Sequence, residues 1–125
     1  MQKIKIKVYS KLNNVEENNE FLAIIDDKII KYIDLENNKM NIDMENNIIT
    51  RENKDYFFNI DFNNNKITIT MKKLNKIFEK EIETMEISRN KTSYLVRYLL
   101  TDENIINEYY VKLWYNCCIM SYKMI

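Results

Sequence analysis

The chain has no glycine and no proline in its 125 residues. Every tight turn must therefore be made by residues that carry a Cβ. Turns that need a positive φ fall to Asn, the most tolerant residue after glycine. Asn is abundant and clustered, at 13–14, 18–19, 37–38, 46–47 and 63–65, and these clusters are read as turns. Asn, Ile and Lys have AT-rich codons, and the missing Gly and Pro have GC-rich ones. The bias is read as genomic composition rather than as a functional signature.

Between the turns the hydrophobic period is two, as in half-buried strands. Ile4, Ile6, Val8 and Leu12 share one face of the first segment, with Lys3, Lys5, Lys7, Tyr9 and Lys11 on the other. Asn13-Asn14 and Asn18-Asn19 bracket what reads as a polar loop around Glu16 and Glu17. Phe21–Ile25 and Ile29–Leu35 flank Asp26-Asp27-Lys28 as a hairpin. Met40, Ile42 and Met44 alternate with polar residues, and Ile48 to Arg51 is a short strand. Tyr56, Phe58, Ile60 and Phe62 pair across Asn63-Asn64-Asn65 with Ile67, Ile69 and Met71. Ser88-Arg89-Asn90-Lys91 and Thr101–Asn104 read as turns around Tyr94, Val96, Tyr98 and Leu100. The last strand runs from Ile105 to Tyr115, with Tyr109, Val111 and Leu113 on one face. Residues 116–125 lose the alternation and read as an irregular tail or a last edge strand.

One stretch is ambiguous. Leu74, Ile77, Phe78, Ile82 and Met85 stand at helical spacing, and a single helix is one reading. The surrounding strands favour a strand. It then needs a bulge or bend, because Phe78 and Ile82 share one parity while Met85 and Ile87 have the other.

Turn signals recur along the whole length, no internal repeat or linker stands out, and the connections are short. These features predict a single all-β domain over 1–125, an antiparallel up-and-down barrel of about eight strands. The order of features also resembles that of a known family. The features are Ile4-Lys5-Ile6-Lys7-Val8-Tyr9, the hairpin at Asp26-Asp27-Lys28, Lys39 to Met44, Ile48-Ile49-Thr50-Arg51, the Tyr56–Met71 hairpin and the closing Tyr94 to Trp114. Together they resemble the YwiB-like family of small bacterial barrels of calycin, or lipocalin-like, type. The resemblance spans roughly residues 3 to 115 and is one of strand order and length. The family's Thr-Pro-Tyr-Gly-like turn has no counterpart in Leu74–Glu79, which lacks both Pro and Gly. The resemblance implies a closed barrel, no known reaction and no catalytic residue to carry over.

The chain also lacks His, which removes the commonest general base and metal ligand. Ser-His and Cys-His catalysis are closed to a single chain of this sequence, and no Gly-rich phosphate loop exists. Cys117 and Cys118 are adjacent, so they lack zinc-ligand spacing and are poorly placed to bridge each other. Neither a metal nor a cofactor is expected. Carboxylate groupings such as Asp26-Asp27 and Glu79, Glu81 and Glu83 read as solvated faces, so no enzyme activity is expected. Basic and acidic residues balance at 19 each, and no basic run exceeds Lys72-Lys73. Nucleic-acid binding is therefore not expected, although the Lys-rich face of the first strand has that look. The alternating N-terminus argues against a signal peptide, and no apolar stretch is long enough for a membrane helix. A reducing cytoplasm fits the cysteines.

The aromatic residues carry the functional expectation. A barrel of this kind either fills its interior with side chains or holds one small ligand. A ligand-holding interior is expected to be lined by Phe58, Ile60, Ile69, Tyr98, Tyr109 and Val111, around a small apolar or amphipathic molecule. It would enclose about 300 Å3 or more. The alternative is a solid core whose exposed edge or patch meets a protein partner or a second copy in a homodimer.

Overall fold

The computed structural model describes residues 2–114. Ten antiparallel strands form a closed barrel in pure up-and-down order, each paired with its chain neighbours and the last with the first. They are β1 (Gln2–Leu12), β2 (Val15–Asp26), β3 (Ile29–Ile33), β4 (Lys39–Asp43), β5 (Ile48–Glu52), β6 (Tyr56–Asp61), β7 (Lys66–Met71), β8 (Lys76–Asn90), β9 (Ser93–Leu100) and β10 (Ile105–Trp114). The expected all-β antiparallel barrel is present, but with ten strands rather than about eight. Five consecutive strands, β3 to β7, have only five or six residues each. The wall is thus divided into more and shorter staves, and a larger strand number gives a wider barrel.

Asn does the work of the missing glycine. Eight described residues have a positive φ: Asn13, Asn14, Asn37, Asn47, Asn65, Asn75 and Asn104, with Asp27. Every strand-to-strand connection except β5–β6 and β8–β9 contains one of them. The turns also contain a repeat that hydrophobic alternation does not show. Ile-Asp-apolar-x-Asn-Asn occurs at 33–38, 42–47 and 60–65. In the second and third copies, Asp43 Oδ1 and Asp61 Oδ1 each accept hydrogen bonds from the backbone N–H groups two and three residues on. Their second oxygens accept from the side-chain amides of Asn46 and Asn64 at 2.8 and 2.7 Å. The final Asn then takes the left-handed conformation, with φ 57° at Asn47 and 55° at Asn65. Asp34 caps the first copy in a wider form, through Glu36 N and Asn38 N, two and four residues on, and there the left-handed residue is Asn37.

The Leu74–Ile87 stretch is a strand. β8 pairs with β7 through Lys76–Glu81 and with β9 through Ile82–Asn90, and its register shifts between Thr84 and Glu86. That shift is a bulge at Met85, which is half exposed. Ahead of it even-numbered residues share the inward side, and beyond it Ile87 and Arg89 face the inward-pointing Val96 and Tyr94. This is the change of parity the sequence requires.

Two boundaries differ from expectation. Residues 15–20 are not a loop but the first half of β2, paired with Leu12 to Lys7 of β1. Only Ile24–Asp26 of β2 pair with β3, so this half has no second strand partner among the described residues. With water on its outer side it needs no apolar alternation, and its charged residues suit an edge. Ser88–Asn90 belong to β8, and the turn is confined to Lys91-Thr92. Tyr115, Cys117 and Cys118, and the tail assignment over 116–125, lie outside the described residues.

The two barrel ends differ. One carries the β2–β3, β4–β5, β6–β7 and β8–β9 turns, and it is laced shut. Met44 N donates to Lys28 O, Phe62 N to Asn47 O and Ile82 N to Asn65 O, each at 3.0 Å. Arg89 Nη1 reaches Met44 O at 2.8 Å, and Tyr94 Oη donates to Asn47 Oδ1 at 3.1 Å. Behind this seal Ile4, Ile6, Ile30, Ile42, Val96 and Val111 are entirely buried. The apolar residue of the turn repeat explains part of the asymmetry. Met44 and Phe62 turn inward at the closed end, whereas Leu35, at the opposite end, is 73% exposed.

Candidate functional site

The opposite half of the interior is hollow. A cavity of about 250 Å3 is lined by Met40, Ile49, Ile60, Ile67, Ile69 and Leu100, with Phe62 towards the closed end, where its ring packs 5.3 Å from that of Tyr98. Alternate residues of β4 to β7 and of β9 reach it because the strand period is two. It opens beside Leu12, Asn13 and Glu103, at the β1–β2 and β9–β10 turns. A second cleft of about 320 Å3 lies where the first half of β2 parts from β3, between Glu17, Asn19, Phe21, Tyr32 and Leu35. The two spaces share Leu12, Met40, Arg51 and Tyr109, so these side chains form the partition between them.

Five of the six expected site residues, Phe58, Ile60, Ile69, Tyr98 and Tyr109, line the 250 Å3 cavity. Val111 does not; it is fully buried in the packed half, paired with Val8 and Tyr94. The cavity is somewhat smaller than the 300 Å3 expected. The interior is neither filled nor hollow throughout, but divided along its axis.

The polar groups of the cavity are few and placed. Asn107 is buried, and its Oδ1 accepts from Asn13 N at 3.1 Å, which ties it to the β1–β2 turn. Its Nδ2 donates to Tyr98 Oη at 3.4 Å. Tyr32 and Tyr109 join their hydroxyls in a hydrogen bond across the partition. Burial raises the Tyr32 hydroxyl well above the usual tyrosine range, and the nearby Asp34 carboxylate raises it further. Burial also raises Tyr98, opposed by the Asn107 hydrogen bond and by the positive charge of Arg51.

Arg51 is the residue that sequence reasoning missed. It sits on β5 with the inward parity of Ile49, and its guanidinium carbon lies 4.5 Å from the centre of the Phe58 ring. The sequence signal was available: Arg51 stands two residues after a buried Ile in an alternating strand, where an apolar residue is expected. Lys80 also has the inward parity, at the cavity mouth, where it pairs with Glu103 at 3.4 Å.

The other candidate features are absorbed into the wall. The Lys-rich outer face of β1 is matched by acidic neighbours: Lys5 pairs with Glu20 at 3.0 Å, Lys7 stands opposite Glu20, and Lys11 opposite both Glu16 and Glu108. Glu79 pairs with Lys66 at 3.3 Å. Among the described residues no group of three or more acidic or Cys side chains is arranged to hold a metal ion. Among the described residues no helix is long and apolar enough to cross a membrane.

No protein-family model matches the chain, and no curated protein matches it.

Proposed function

We propose that the protein is a binding module that holds one small apolar or amphipathic molecule in the open half of its barrel. The observation that carries this reading is the divided interior. A packed half secures the fold, and the other half leaves an apolar space with a few convergent polar groups, the usual character of a small-molecule site. Up-and-down order is shared with calycin-type barrels, and the resemblance to the YwiB-like family supports the same architecture. The lack of His favours a carrier or sensor over an enzyme, and the adjacent cysteines favour a reducing cytoplasm. Native mass spectrometry of protein purified from cells tests the reading. A retained small molecule, lost when Ile69→Trp fills the cavity, supports it. Ligand-free protein that also binds no member of an apolar and amphipathic panel overturns it.

An outer groove favours a second reading, an interaction surface. Leu22, Ile24, Ile33 and Phe57 line a concavity of about 830 Å3 on the outside of β2 to β6, rimmed by Lys3, Lys31 and Lys39. Leu22 is 78% exposed, and exposed apolar surface of this kind marks contact sites. Sedimentation over a wide concentration range tests whether a second copy covers it. Self-association abolished by Leu22→Lys supports the reading, and a monomer throughout argues against a homodimer.

A further inference from the structure

The chain has three arginines, and two of them have oxygen partners. Arg89 donates to Met44 O at 2.8 Å. Arg97 pairs with Glu108 at 2.8 Å and with Glu86 at 3.6 Å. Arg51 forms no ion pair among the described residues, although it is half-buried at the junction of both interior spaces. A guanidinium stays charged at any accessible pH, and a charge drawn out of water without a counter-ion is costly. The Phe58 ring, 4.5 Å from the guanidinium carbon, compensates for part of that cost but offers the guanidinium no oxygen acceptor. The guanidinium edge, with the forked N–H groups that grip a carboxylate, is left over.

A second group at the cavity is incomplete in the same sense. Tyr98 is 4% exposed. Its hydroxyl oxygen accepts from Asn107, while the hydroxyl proton has no acceptor among the described residues. Arg51 bears electrostatically on this hydroxyl. The remaining charges are mostly matched: Lys80 pairs with Glu103, and the Asp34 carboxylate accepts from Glu36 N, Asn38 N and Asn38 Nδ2. Glu17 and Glu36 border the side cleft, not the inner cavity.

We propose that the open half of the barrel binds a medium-chain carboxylate, with its head on the Arg51 guanidinium and the Tyr98 hydroxyl and its chain along Ile60, Ile67 and Ile69. This rests on the interior-ligand reading and adds the charge and orientation of the ligand. A cavity of about 250 Å3 holds roughly eight groups the size of a water molecule, which suits an alkyl chain of about eight carbons.

Calorimetric titration with octanoate, 1-octanol and octylamine tests the assignment on wild type, Arg51→Gln and Tyr98→Phe. Octanoate is expected to bind at least tenfold more tightly than 1-octanol, and octylamine more weakly than either. Arg51→Gln is expected to abolish the advantage of octanoate while leaving 1-octanol binding in place, which also shows that the variant is folded. Tyr98→Phe removes one hydroxyl and is expected to reduce that advantage in part. Equal binding of octanoate and 1-octanol would overturn the carboxylate assignment and leave the interior-ligand reading standing. Tighter binding of octylamine would do the same and place control with Glu103, the carboxylate at the cavity mouth. No binding of any of the three by wild type overturns this inference, and the interior-ligand reading then rests on the native mass spectrometry and the wider panel.

Discussion

Asn65 offers a direct test of how a chain without glycine makes its turns. It has φ 55°, its carbonyl accepts from Ile82 N, and its Oδ1 accepts from Thr84 N, both at 3.0 Å. Two effects are lost in Asn65→Ala. A left-handed residue with an ordinary Cβ costs about 1 kcal/mol, and a lost side-chain hydrogen bond costs about 1 kcal/mol more. Asn65→Ala is thus expected to destabilise by about 2 kcal/mol, a fall of roughly 8 °C in melting temperature for a domain of this size. Asn65→Gly loses the hydrogen bond but relieves the left-handed strain, so its cost is about half that of Asn65→Ala. Asn37 is the control: φ is 65° and the side chain is exposed at a turn tip. There Asn37→Ala is expected to cost about 1 kcal/mol, and Asn37→Gly close to nothing. Urea unfolding of the four variants measures all of these. Equal costs for Ala and Gly at both positions would refute the reasoning, because the Asn residues would then not be serving the backbone conformation.

Three further outcomes are expected. Ile42→Ala in the sealed half, where Ile42 is wholly buried, is expected to cost about 3–4 kcal/mol. Ile69→Ala at the cavity wall should cost about half that, because it opens no new void among packed neighbours; urea unfolding again compares them. Above pH 10 stability is expected to fall. Burial raises Tyr32, Tyr94 and Tyr98 in the fold, so their neutral forms stabilise it fully below the unfolded value of about 10, and that contribution is lost as pH rises beyond it. A phenolate absorbance titration should accordingly show late tyrosines that ionise together with unfolding. On the acid side, burial tends to raise Asp43, but the hydrogen bonds from Asn46 and Glu45 outweigh it and leave the carboxyl lowered. Its contribution is present above the usual value of about 4 and lost as pH falls through the lowered one. Asp43→Asn should therefore flatten the loss of stability as pH falls below about 4 in thermal melts.

Much of the wall was legible because its residues report burial on one side only. The alternations of β1, β4, β6, β7, β9 and β10 set the inward face, and the parity break at Met85 foretold the bulge in β8. The first half of β2 was not legible. Pairing with β1 alone places no apolar demand on Glu16 to Glu20, so a strand there looks like a loop. The strand number was missed because a norm of about eight strands assumes longer staves than the five-residue strands β3 to β5. Of the site, the aromatic and Ile lining followed from parity. Parity also included Val111, since position along the barrel axis, which separates the packed half from the hollow one, depends on which turns seal which end. Arg51 broke the apolar pattern, and its lack of an ion-pair partner among the described residues became visible only when the neighbouring strands were placed around it.

The central claim is that a ligand enters the open half and leaves the sealed half unchanged. Isoleucine methyl resonances followed during an octanoate titration test it most directly. Shifts at Ile49, Ile60, Ile67 and Ile69, with Ile4, Ile6, Ile30 and Ile42 unmoved, are the predicted result. Shifts confined to Ile24 and Ile33 on the outer groove would contradict it, as would an interior in which no isoleucine responds.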